Sequence, residues 1–155
     1  MMASGRRLLI LSCSQRKRPD PGLLPAIKRY DGPAFWVLRH FLREQPDCSQ
    51  HLDVFILSAY YGLIQAYHPI IEYNQVMTPS RAIELHDEVL ASFASLFRID
   101  YTDLCLAMSK KYLKALEGWP TLLRSDVRST IVSGSQGTRL TQLKHWLWQE
   151  AQSAD

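Results

Sequence analysis

Three cysteines, Cys13, Cys48 and Cys105, are all that the 155 residues contain. So small, odd and widely spaced a set argues against a disulfide framework and for a reduced, cytoplasmic protein. No early apolar run is long enough for a secretory signal, and no segment approaches the ~18 apolar residues of a membrane span, so a soluble protein is expected. The five histidines, at positions 40, 51, 68, 86 and 145, form no pair at metal-ligand spacing, and neither a metal nor a cofactor is expected. The chain has neither the lysine-ended loop of nucleoside-triphosphate enzymes nor the three-glycine dinucleotide fingerprint, so nothing supports an ATPase or a nicotinamide dehydrogenase. A Ser-His-acid order and a nucleophile elbow are also missing. With no linker and no fixed-period repeat, residues 1–155 read as a single domain with a frayed tail at 153–155.

A hydrophobic content of 46% is enough for a full core at this length. The unbroken apolar run Leu8–Leu11 suits a strand covered on both faces. Val54–Leu57 reads as a second buried strand, Leu104–Met108 as a third apolar strand, and Thr130–Val132 as the start of a fourth strand, loop, helix unit. Between them the spacing predicts helices. One begins at Pro33 and carries Phe35, Leu38, Phe41 and Leu42, with Pro46 beyond its end. A second begins at Thr78-Pro79 and runs to about Arg98, with Ala82, Val89, Leu90, Phe93 and Phe97 on its buried face. A short one follows Ser109, and the last carries Leu140, Leu143, Trp146 and Leu147. Residues 65–77 read as a long connection. The expected fold is an α/β three-layer sandwich around a mainly parallel sheet of about four strands.

Each strand runs into a small polar turn: Ser12-Cys13-Ser14, Ser58-Ala59-Tyr60-Tyr61-Gly62, Ser109-Lys110, and Ser133-Gly134-Ser135-Gln136-Gly137-Thr138-Arg139. In a parallel sheet these turns share one edge, where a ligand crevice forms. Ser12, Ser14, Ser58 and Gly62 are expected to line it. Ser133, Gly134, Ser135 and Gly137 read as an amide cradle for phosphate at a helix start, helped by Lys17. Tyr61 and Tyr73 offer faces for stacking a base, and Asn74 can read a base edge. Asp31 and Glu72 are the candidate acids or bases. Residues 1–29 hold seven bases against one acid, an excess that fits a phosphate-bearing partner, nucleotide or nucleic acid. Cys13 lies near Arg16 and Lys17, which would favour a thiolate, although its place at a strand end suggests burial.

Ser12-Cys13-Ser14-x-x-Lys17, Pro25-Ala26-x-x-x-Tyr30-Asp31-Gly32, Ile56-Leu57-Ser58-Ala59-x-Tyr61-Gly62-Leu63 and Ile71-x-Tyr73-Asn74 resemble a widespread family of small bacterial and archaeal proteins. That family is filed mostly as a domain of unknown function or labelled YaaA-like, after a peroxide-stress protein. The resemblance covers residues 8–82. A more distant similarity is to the uracil-DNA-glycosylase-like α/β fold, also found in tRNA deazaguanine-modifying proteins. This chain lacks the glycosylase's Gly-Gln-Asp-Pro-Tyr-His and His-Pro-Ser-Pro motifs, so uracil excision is not implied. The expected function is binding of a nucleobase, nucleoside or nucleotide at the strand ends, with action on an N-glycosidic bond as its catalytic form. The alternatives are a non-catalytic DNA- or RNA-binding stress protein using the N-terminal bases, and a thiol-dependent enzyme using Cys13.

Overall fold

The computed structural model describes residues 5–153, so of the tail expected at 153–155 only Ser153, the last helical residue, is described. The chain forms an α/β sandwich on a five-stranded sheet. Its strands are β1 (Arg6–Ser12), β3 (Leu52–Ser58), β4 (Gly62–Gln65), β6 (Tyr101–Ala107) and β7 (Arg128–Val132), in the order β4-β3-β1-β6-β7. Only β4 runs antiparallel to its neighbour. Leu8, Leu9, Ile10 and Leu11 in β1 are wholly buried. That explains their unbroken apolar run, and each side chain contributes about 1.5–3 kcal/mol of burial.

Helix α1 (Ala26–Arg29) is one turn, preceded by β2 (Leu24–Pro25), which pairs with β5 (Pro69–Ile70). Helix α2 (Pro33–Glu44) buries Phe35, Leu38 and Phe41, and α3 (Pro46–Ser49) follows at once. Pro46 lies beyond the end of α2, as expected, and itself starts the next helical turn, where a residue needs no amide partner. Helix α4 (Pro79–Leu96) begins as its sequence predicts: the Thr78 hydroxyl accepts the Arg81 amide at 3.1 Å and Pro79 sits in the first turn. Helix α5 (Lys110–Leu113) leads into 3₁₀ turns, and α6 (Gln136–Ser153) packs on α2. From β1 the chain crosses to β3 on one side, and later to β6 on the other. This reversal is the topological switch of a doubly wound sheet.

The fifth strand is the main departure from the expected rhythm. After β3 the chain does not enter a helix but turns through Ala59-Tyr60-Tyr61 and returns as β4. Gly62 permits this with a φ of 81°. The long connection expected over residues 65–77 is therefore shortened at its start. Gln65 belongs to β4, Pro69–Ile70 to β5, and the irregular stretch covers 71–78.

The segment between β1 and α2 is held by a buried cation. Arg29 is wholly buried, and its guanidinium donates to the carbonyls of Arg18 at 2.7 Å, Asp20 at 2.8 Å, Gly22 at 2.5 Å and Ile70 at 3.4 Å. Replacing it by Met would strip those carbonyls of their donors. Arg29→Met is expected to lower unfolding stability by about 3–5 kcal/mol in a urea titration, a cost typical of breaking a buried charged cluster.

Candidate functional site

At the carboxyl edge of the sheet, beside the switch between β1 and β6, lies a cavity of about 140 Å³. Ser12, Cys13 and Ser14 after β1 form one wall, and Gly32–Phe35 at the start of α2 form the second. Gln136, Arg139, Leu140 and Leu143 of α6 form the third, with Ala107 and Val132 at its floor. Its size is close to that of an engineered ~150 Å³ cavity that takes a benzene ring. The walls approach closely because of Gly32, where an added Cβ would meet the Ser14 Cβ at 2.9 Å. Arg139 also borders a wider depression of about 770 Å³, shared with Ser109, Lys110, Lys111, Ser133 and Gly134.

The expected phosphate cradle divides between these surfaces and the helix itself. Ser133 and Gly134 line the wider depression. The Ser135 hydroxyl instead accepts the Thr138 amide at 3.3 Å and caps α6. Helix α6 consequently starts at Gln136 and absorbs Gly137, which the sequence reading placed in a loop. A Cβ at Gly137 would meet nothing within 4 Å, so that position makes no close approach.

Lys17, Ser58, Tyr61 and Tyr73 line neither cavity. They belong to a neighbouring hydroxyl knot under the β3–β4 turn. The Ser58 hydroxyl accepts the amides of Tyr60 at 3.1 Å and Tyr61 at 2.9 Å, and lies 2.9 Å from the Tyr73 hydroxyl. Tyr73 and Tyr30 hydroxyls are 2.6 Å apart, and Tyr30 donates to Ser58. Burial pushes both phenols well above their usual range, so they act as neutral hydrogen-bonding groups. The Tyr73 ring carries Tyr60 stacked at 5.2 Å and the Lys17 ammonium 4.4 Å from its centroid. The place expected for a base is thus occupied by the protein's own groups. The Tyr61 hydroxyl accepts the Ile71 amide at 3.2 Å, and Gly62 shapes the turn. The segment Ser58-Ala59-x-Tyr61-Gly62-Leu63, central to the family resemblance, serves this hairpin.

Cys13 joins the two regions. The residue lines the smaller cavity, and its sulfur accepts the Ala59 amide at 3.4 Å and lies 3.2 Å from the Tyr112 hydroxyl. Burial lowers the Lys17 pKa from its usual value, against the opposing pull of Cys13 and Glu72.

The candidate acids and bases are not gathered at the cavity. One Asp31 oxygen accepts the Trp36 indole at 2.9 Å and Arg39 at 3.1 Å, and the other lies 3.6 Å from Arg16. The Trp36 hydrogen bond, with Arg39 and Arg16 beside it, holds this carboxyl below the usual carboxylate range. That suits an anchor for α2 and not a proton acceptor. Glu72 and Asn74 are exposed on the irregular stretch, and neither lines the cavity.

Of the seven N-terminal bases, Arg16, Arg18 and Lys28 are exposed, and several of the seven are engaged by the protein's own groups. Arg7 is buried and donates to the Trp146 and Leu147 carbonyls, and Arg29 is the clamp described above. Arg6 pairs with Asp53, and Arg18 with Asp20. The cationic residues that border the site are Arg139, Lys110 and Lys111, which were not chosen from sequence. Their signal was present in the turns after the last two strands, where Ser109-Lys110-Lys111 and Arg139 stand. No protein-family model matches the chain, and no curated protein matches it.

Two outcomes follow from this geometry. Gly32→Ala should force the Ser14 loop away from α2 and cost about 1–3 kcal/mol, as overpacking does, measurable by thermal unfolding. Asp31, with its folded pKa below the unfolded value, contributes stability that is full above the ordinary carboxylate range and is lost as pH falls through the depressed value. Asp31→Asn should therefore flatten the acid limb of a stability-against-pH curve, and an unchanged limb would contradict this role.

Proposed function

We propose that the chain binds a nucleoside or nucleotide at the carboxyl edge of its sheet, with the ring in the 140 Å³ cavity and the phosphate at Arg139. One observation carries the reading: Arg139 is half-buried and borders both cavities, yet its guanidinium has no acidic or carbonyl partner among the described residues. The other buried or half-buried arginines, Arg6, Arg7, Arg29, Arg39 and Arg81, are all engaged with carboxylates or carbonyls. Partial burial of a cation without a counterion carries a cost, and an anionic ligand would supply the missing partner. Phe35, Leu140 and Leu143 offer apolar contact to a ring, while Ser12, Ser14 and Gln136 offer donors and acceptors to its edge.

Binding is favoured over cleavage of an N-glycosidic bond. The cavity lining contains no Asp, Glu or His to orient water or stabilise charge on a sugar. The nucleic-acid alternative rests on fewer bases than the sequence count suggests, because Arg7 and Arg29 are buried on backbone carbonyls and Arg6 and Arg18 pair with Asp53 and Asp20. The YaaA-like resemblance remains part of the same proposal, through its strand-end motif Ser12-Cys13-Ser14. A second reading, ligand chemistry at Cys13, is favoured by the residue's place in the cavity wall.

Calorimetry with nucleosides and their 5′-monophosphates tests the reading. The monophosphate should bind more tightly than its nucleoside, and Arg139→Gln should weaken it roughly 10- to 100-fold, as expected for a charge-assisted contact of ~1.5–3 kcal/mol. Ala34→Phe, which fills the cavity, should weaken both. If neither compound binds at millimolar concentration, the proposal fails. Cys13→Ser should retain binding, and its loss together with iodoacetamide labelling at Cys13 would support the thiol reading instead.

A further inference from the structure

Resting on that reading, we infer that the preferred ligand carries a diphosphate, and that the protein holds it without a bridging divalent cation. The wider depression is lined by Lys110, Lys111 and Arg139, with the hydroxyl residues Ser109 and Ser133 between them. No carboxylate is in that lining, and neither lysine ammonium has a hydrogen-bond or ion-pair partner among the described residues. Three positive charges therefore face one concave surface. A phosphate monoester brings only about −1.5 to −2 at neutral pH and leaves that surface undercompensated. Adding a second phosphate brings the charge near balance. The depression is also several times larger than the ring-sized cavity it adjoins, so a chain extending from Arg139 toward the lysines has room.

Proteins that hold nucleotide phosphates through Mg²⁺ commonly supply one or two carboxylates to the ion. Here that role has no candidate in the lining, and among the described residues no group of three His, Cys, Asp or Glu side chains is placed to hold a metal. Direct contacts from Lys110 and Lys111 take its place. Because Mg²⁺ would neutralise the same phosphate oxygens, it competes with these lysines instead of assisting them.

The experiment is calorimetry on the intact chain with a nucleoside and its 5′-mono- and diphosphate, in EDTA and again in excess Mg²⁺. In EDTA the diphosphate should bind about tenfold more tightly than the monophosphate. The double substitution Lys110→Gln/Lys111→Gln should remove that advantage, while Lys28→Gln, on an exposed side chain away from the site, should leave it in place. Excess Mg²⁺ should weaken the diphosphate. Equal affinities for mono- and diphosphate, with both binding, would overturn the inference and leave the nucleotide reading standing. Tighter diphosphate binding in Mg²⁺ than in EDTA would overturn its metal-free part. Failure of all three compounds to bind would overturn both readings together.

Discussion

The guanidinium of Arg29, enclosed by backbone carbonyls, is the interaction on which the carboxyl edge of the sheet depends. Segments without regular structure must satisfy their carbonyls somewhere, and one side chain meets that demand for Arg18, Asp20, Gly22 and Ile70 at once. The backbone bonds from Arg18 to Arg29 and from Asp31 to Arg16 then lay the loop against α1. The cavity wall formed by Ser12–Ser14 is therefore set from behind, by a charge that does not line the cavity. A neutral residue of similar size would fill the space but leave the loop's polar groups unmatched.

The distribution of positive charge follows the same logic. Arginine used as an internal multi-donor, at Arg7 and Arg29, is unrelated to the protein's outward electrostatics. Arg6 and Arg18 are neutralised locally by Asp53 and Asp20. Lys110 and Lys111 at the end of β6 and Arg139 after β7 make a second cationic surface. A count of bases along the chain is a poor guide here, because four of the seven in the densest stretch are held by backbone carbonyls or by a neighbouring carboxylate.

Much of the architecture was legible because it rests on local rules. The doubly covered strands announced themselves as unbroken apolar runs, and Thr78-Pro79 marked a helix start through its cap and first-turn proline. The hairpin at Gly62 was not legible, because β4 is short and its apolar residues Leu63 and Ile64 resemble the end of a turn. The start of α6 was misplaced because Ser135, one serine among several, is the one whose hydroxyl meets the Thr138 amide. At the site, Ser12, Ser14, Ser133 and Gly134 were found by their position after strands. The tyrosines were drawn toward a ligand role because a hydroxyl network among Tyr30, Ser58 and Tyr73 joins residues far apart in sequence, and composition shows only aromatic rings. Arg139 was overlooked since its significance is the absence of a neighbour, which only three dimensions reveal.

The order of the sheet also sets a timetable for its assembly. Leu9 pairs with Val54 on one side and with Cys105 on the other, so the first strand to be synthesised stays half-paired until β6 has emerged. The closure of so long a loop is an entropic cost met before the contacts on that side form. During that interval the most apolar segment of the chain presents an open edge, and β3 is the first partner able to cover any of it. The cavity wall contributed by α6 follows β7, so the cavity is complete only after every strand of the sheet has been made.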